Sequence, residues 1–82
     1  MKVHLTFYGV LKQEVGSREL TLTLPQEMIS VGELSQHLIA RYPTLEGRMS
    51  SVAVALNDEL VRADHPLRDG DHASLLPPVS GG

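Results

Sequence analysis

The sequence contains no cysteine. That excludes disulfides, thiolate metal sites and a cysteine nucleophile together. Long apolar runs are missing as well. The longest aliphatic stretch, Val52-Ala53-Val54-Ala55-Leu56, is far too short to span a bilayer. The first residues show neither the apolar core nor the small-residue cleavage site of a secretory signal. There is no basic excess: Lys and Arg number 7 against 10 Asp and Glu, a formal net charge of −3. This argues against non-specific nucleic-acid binding, which needs a basic face. The expectation is a soluble cytoplasmic protein with neither nucleic acid nor membrane among its partners. The chain also lacks internal repeats, low-complexity segments and a glycine-rich phosphate loop.

The histidines, His4, His37, His65 and His72, nowhere take His-x-x-x-His spacing. With no thiolate to join them, no metal site is expected. Asp69 and Asp71 flank Gly70, but two carboxylates in a tight turn suit a charged hairpin better than a calcium loop. Ser80 has no base or oxyanion partner recognisable in the sequence. A chain of 82 residues implies one domain, and a core this small supports only about 3–5 kcal/mol of stability. It leaves little room for a buried active site, and the body offers no internal catalytic set.

What is present is clear hydrophobic periodicity, with apolar residues at 41% of the chain, which suits a globular domain rather than a disordered one. Val3, Leu5 and Phe7 alternate with polar neighbours and predict a half-buried strand. Leu11 and Val15 allow one or two helical turns, stopped by Gly16. Leu20, Leu22 and Leu24 alternate with Thr21 and Thr23 in a second strand, most simply antiparallel to the first. Pro25 ends it. Ser30 and Glu33 form an S-x-x-E capping box, and Val31, Leu34, Leu38 and Tyr42 follow at helical spacing until Pro43 stops the helix. Thr44 to Ser50 reads as an irregular connection anchored by Leu45 and Met49. Val52, Val54 and Leu56 predict a third strand, Asn57-Asp58 a turn, and Leu60-Val61 a short return strand. His65-Pro66-Leu67 leads into the turn Arg68-Asp69-Gly70-Asp71. In the last strand Ala73 and Leu75 face one way, and Ser74 and Leu76 the other. Two strands, a helix and two or three more strands predict an α+β layer arrangement. The fitting architecture is a β-grasp, ubiquitin-like fold: a mixed sheet of four to five strands packed on one main helix. The first and last strands are its plausible central partners.

The last strand runs into Leu75-Leu76-Pro77-Pro78-Val79-Ser80-Gly81-Gly82. Neither proline can donate to a sheet ladder, so pairing stops there, and the residue before each is held extended. The expected division is a body of residues 1–77 and an extended, flexible tail of residues 78–82. From Pro78 to Gly82 such a tail reaches roughly 15 Å at about 3.3 Å per residue. Gly81 and Gly82 would form a thin tip whose one functional group is the terminal carboxylate, ionised at neutral pH. Two readings stand side by side: a frayed, solvated end, or a carboxylate that another enzyme activates in a channel too narrow for a side chain.

The hairpin "ALNDELV", the segment "DHPLRDGD" and the ending "LLPPVSGG", with the opening "MKVHLTFYGVLKQEVG", resemble the MoaD/ThiS sulfur carriers. Within that family the likeness is greatest to the molybdopterin synthase small subunits, and it covers nearly the whole chain. His72 departs from the glutamate common after the Gly-Asp pair. The resemblance implies that the Gly82 carboxylate is adenylated by an ATP-using, ubiquitin-activating-type (MoeB-like) adenylyltransferase. A sulfur donor such as a cysteine desulfurase then supplies a thiocarboxylate, which gives its sulfur to a cyclic pyranopterin to build the molybdopterin dithiolene. A large (MoaE-like) subunit would hold the catalytic side chains. No cofactor would be bound by this chain, and it would be no enzyme by itself. Gly81, Ser80, Val79 and Pro78 would thread into the large subunit. Docking calls for an apolar patch on the sheet face away from the helix, and strand parity offers Tyr8 and Leu76, continued by Pro77. Leu76 as ordinary core is the competing assignment. The rival functions are a thiamine-pathway sulfur carrier, a ubiquitin-like protein modifier, and a β-grasp interaction module with an inert tail.

Overall fold

A computed structural model describes residues 1–78. Strand β1, Lys2–Phe7, puts Val3, Leu5 and Phe7 into the core, as their alternation requires. Helix α1, Val10–Val15, is a short segment closed by Gly16. That residue is left-handed at φ 84°, and its N–H donates to the Lys12 carbonyl at 2.9 Å. Strand β2, Glu19–Thr23, returns antiparallel to β1 with Leu20 opposite Leu5.

A short strand, β3 (Met28–Ser30), leads directly into helix α2, Val31–Arg41. The helix begins at the predicted capping box. The Glu33 N–H donates to Ser30 Oγ at 3.1 Å, and the Ser30 N–H donates to Glu33 Oε1 at 2.9 Å. Its buried stripe is Val31, Leu34 and Leu38. Pro43 ends it and opens a 3-10 turn, Pro43–Leu45; a second turn covers Met49–Ser51. Leu45 and Met49 are buried in these turns, which is the anchoring role expected of them. Strand β4, Ala53–Leu56, and strand β5, Glu59–Val61, form a hairpin. Both residues of its turn, Asn57 and Asp58, lie at positive φ (53° and 67°), backbone that Asn and Asp tolerate better than most.

After a short strand β6, Pro66–Arg68, comes the final strand, β7, His72–Leu76. It runs parallel to β1 and antiparallel to β4, so the main sheet has the order β2-β1-β7-β4-β5. The first and last strands are therefore central, and α2 covers one face. This is the expected α+β, β-grasp arrangement with five strands.

One part of the sequence reading needs correction. The stretch around His65-Pro66-Leu67 is more than an approach to a turn. Its strand β6 pairs antiparallel with β3 in a separate two-stranded sheet. Pro66 is tolerated as the first residue of β6, where its missing N–H costs least. Leu67 and Ile29 sit opposite each other, and both are buried.

Candidate functional site

Register fixes which residues share the sheet face left open by α2. Ala73, Leu75, Val54, Val3, Leu5 and Phe7 point into the core, so their alternates point out. Across the sheet the pairs Thr6–Glu19, Thr6–Ser74, Ser74–Ala55 and Ala55–Leu60 make one outward row. The row toward the end of β7 holds Leu76 beside Ala53. Extending the β1–β7 register by one residue brings Tyr8 next to Leu76, and the Tyr8 N–H donates to the Leu75 carbonyl at 3.3 Å. Tyr8 is 39% exposed, and the Arg18 guanidinium lies over its ring, 5.8 Å from the centroid. The opposite end of the face is polar. There His72 Nε2 and Thr6 Oγ1 are 2.7 Å apart, and His4 Nδ1 and Thr21 Oγ1 are 3.1 Å apart.

The open face is therefore graded. Apolar side chains gather where β7 ends, and hydrogen-bonded polar ones lie at the far end. Tyr8 and Leu76, singled out by parity, come together at the apolar end. Parity alone missed Ala53, Ala55 and Leu60. The Asn57-Asp58 turn carries the signal for them, because a two-residue hairpin sets Leu60 opposite Ala55.

Pro77 leaves β7 half-buried, and Pro78 is exposed. Pro77 lies against Gly9, which sits at φ 57° and where an added Cβ would stand 3.0 Å from Pro77 Cγ. Glycine is thus suited to this position both by its backbone and by the approach of the proline. A slot of about 190 Å³ opens beside this point, lined by Val10, Leu11, Arg48, Val52, Pro77 and Pro78 among others. It is smaller than the ~300 Å³ at which small-molecule pockets begin, and Arg48, the one cation among its described lining residues, is paired with Glu14 at 3.2 Å. Two shallower grooves, of about 380 and 390 Å³, flank Met49 and Ser50, and their described lining residues include no ionisable side chain. The expected tail residues Val79, Ser80, Gly81 and Gly82 lie outside the described residues.

The other candidates for chemistry are occupied structurally. Asp69 Oδ1 accepts from the Lys2 N–H at 2.7 Å, and Asp71 Oδ2 accepts from the Arg68 N–H at 2.8 Å. Gly70, at φ 87°, donates its N–H to the Lys2 carbonyl at 2.8 Å. The Asp-Gly-Asp turn ties β1 to the approach of β7. Among the described residues no three His, Asp or Glu side chains gather as a metal-binding group. No helix among them is long and apolar enough to cross a membrane.

Comparison with known proteins gives this geometry a family context. The ThiS family profile matches residues 5–82. A curated relative from Chlamydomonas reinhardtii, the "Molybdopterin synthase sulfur carrier subunit", is 32% identical, with all of both chains covered. The crystal structure of SAMP1 from Haloferax volcanii superposes with a TM-score of 0.86 at 26% identity, covering 100% of each chain. A chain in the complex of subunits 1 and 2 of the molybdopterin-converting factor from Helicobacter pylori is 32% identical over 100% of each chain, with a TM-score of 0.68.

Proposed function

Because the chain belongs to the ThiS family, we propose that it is the sulfur carrier subunit of a molybdopterin synthase. In this reading the Gly82 carboxylate is the working group. A carboxylate is a poor electrophile at neutral pH, and adenylation with ATP by a separate activating enzyme supplies the leaving group. A sulfur donor converts the acyl-adenylate to a thiocarboxylate. Its sulfur passes to a cyclic pyranopterin held by a large subunit, which contributes the catalytic side chains. This chain binds no cofactor of its own and is the reagent rather than the catalyst.

The observation that carries the reading is the coincidence of two features at one end of β7. Pro77 and Pro78 leave the sheet there, and there Tyr8, Leu76 and Ala53 gather on the open face. A partner seated on that apolar patch would lie beside the point where the chain leaves the sheet. The relatives' names support the same role. The Helicobacter pylori structure, a complex of two subunits, supports a partner subunit. Leu76, Tyr8 and Pro77 are then the docking residues, and Pro78, Val79, Ser80 and Gly81 thread the tail.

The test is reconstitution with a candidate large subunit, comparing thiocarboxylated protein with a Gly82 deletion. The expected result is full sulfur transfer by the first, and retained binding without transfer by the second. Equal activity of the two would refute the proposal. Intact mass measurement of protein from its own cells should show the sulfur-for-oxygen increment. Adducts on lysines in its place would point to protein modification.

A further inference from the structure

The main sheet has two edges, and they differ. Among the described residues β5 bonds only to β4, so its outer side is unpaired there. In a two-residue hairpin the closing pair, here Leu56 and Glu59, exchanges the hydrogen bonds. The antiparallel alternation then turns the N–H and C=O of Leu60 away from β4 and toward the free edge. Leu60 itself is 71% exposed. Natural edges are commonly blunted by lysine, proline or a bulge. The three residues of β5, Glu-Leu-Val, include neither lysine nor proline; only its shortness and Glu59 blunt it, which keeps pairing along it weak.

The charges around Leu60 have a definite order: Asp58-Glu59-Leu60-Val61-Arg62, with an acid two residues before it and a base two residues after. Asp58 shares a surface depression with His72 and Ser74, so it lies on the open face, as Leu60 does. Parity carries Arg62 to that face too. An antiparallel copy centred on Leu60 sets the two leucines opposite each other. It also brings the turn residue Asp58 of each copy near Arg62 of the other, just past the ends of the three-residue strand. The result is a two-fold, self-complementary contact with two backbone hydrogen bonds, an apolar pair at the centre and an ion pair at each end. The rival edge, β2, lacks this complementarity. Centred on Thr21, it would oppose Glu19 to Thr23, with no apolar centre and no charge pair.

We propose that two copies of this chain associate edge to edge through β5, antiparallel and centred on Leu60. So short a strand buries well under the ~1,200 Å² of a standard stable interface. The contact is therefore weak and in exchange with the monomer. It weakens further with salt, because its end pairs are exposed.

Sedimentation velocity and amide chemical shifts of the full chain, followed over a concentration series, test this. The expected result is a mass that rises with concentration and shifts centred on Glu59–Val61. Leu60→Lys should abolish the rise. Arg62→Glu, which sets acid against acid at both ends, should weaken association at least tenfold. Asp58→Asn combined with Arg62→Glu removes that repulsion and should recover part of the loss; asparagine keeps a residue type suited to positive φ. Thermal unfolding verifies that each variant folds. A monomer throughout the series overturns the proposal. So does association that survives Leu60→Lys, an Arg62→Glu variant that associates like the parent, or a double variant no stronger than Arg62→Glu alone.

Discussion

Leu75 and Leu76 are neighbours with opposite assignments. Leu75 is fully buried, and truncating such a leucine to alanine costs about 2–5 kcal/mol, comparable to the whole stability expected of a domain this size. Leu76 is half-buried on the open face, beside Ala53. A glutamate there can keep its carboxylate in water, so Leu76→Glu should leave the thermal midpoint within a few degrees. Docking would change that, because an apolar contact would then close over an unpaired carboxylate. The expected loss is at least tenfold in affinity for the large subunit, or about 1.4 kcal/mol, measured by calorimetric titration. An unchanged dissociation constant would remove Leu76 from the proposed docking surface.

Among the elements, the two-stranded sheet of β3 and β6 was the one the sequence concealed. Each strand has three residues, too few to display an alternation. Their pairing joins segments far apart in the chain, and Pro66 looks like a strand breaker until its place at the strand's start is known. Yet the element is structural. Leu67 is fully buried opposite Ile29, and the His65 carbonyl accepts the Val31 N–H at 2.9 Å at the start of α2. Leu67→Ala should therefore cost about 2–5 kcal/mol. At about 4–8 °C per kcal/mol for a domain of this size, the midpoint should fall by roughly 10 °C or more in a thermal melt. By contrast, α2 was legible to its first residue, because a capping box is a local hydrogen-bond pair. The Gly70 turn was legible too, because its backbone asks for glycine. The proposed docking patch was half legible. Tyr8 and Leu76 follow from strand parity, whereas Ala53 needed the register of β4 against β7.

At the scale of the whole molecule, the parallel pairing of β1 with β7 makes the last strand central to the sheet. Both neighbours of β7 hold it, and Pro77 rests on Gly9 at the point of exit. The body therefore fixes where the chain leaves the sheet, and on the proposed function only the terminal atom takes part in chemistry. Folding, docking and transfer should then respond separately to changes at the end of the chain. Adding one alanine after Gly82 leaves every described contact in place, so the melting midpoint and the large-subunit affinity should match the parent within error. The activated carboxyl, however, would then belong to a residue that brings a side chain into a channel suited to glycine. It would also lie about 3.3 Å beyond its former position, and a misplacement of even about 1 Å can cost a hundredfold in rate. The extended protein should lose at least that much single-turnover transfer. Mass spectrometry must confirm that it has not been trimmed back. Transfer at the parent rate by the untrimmed chain would separate function from Gly82 altogether.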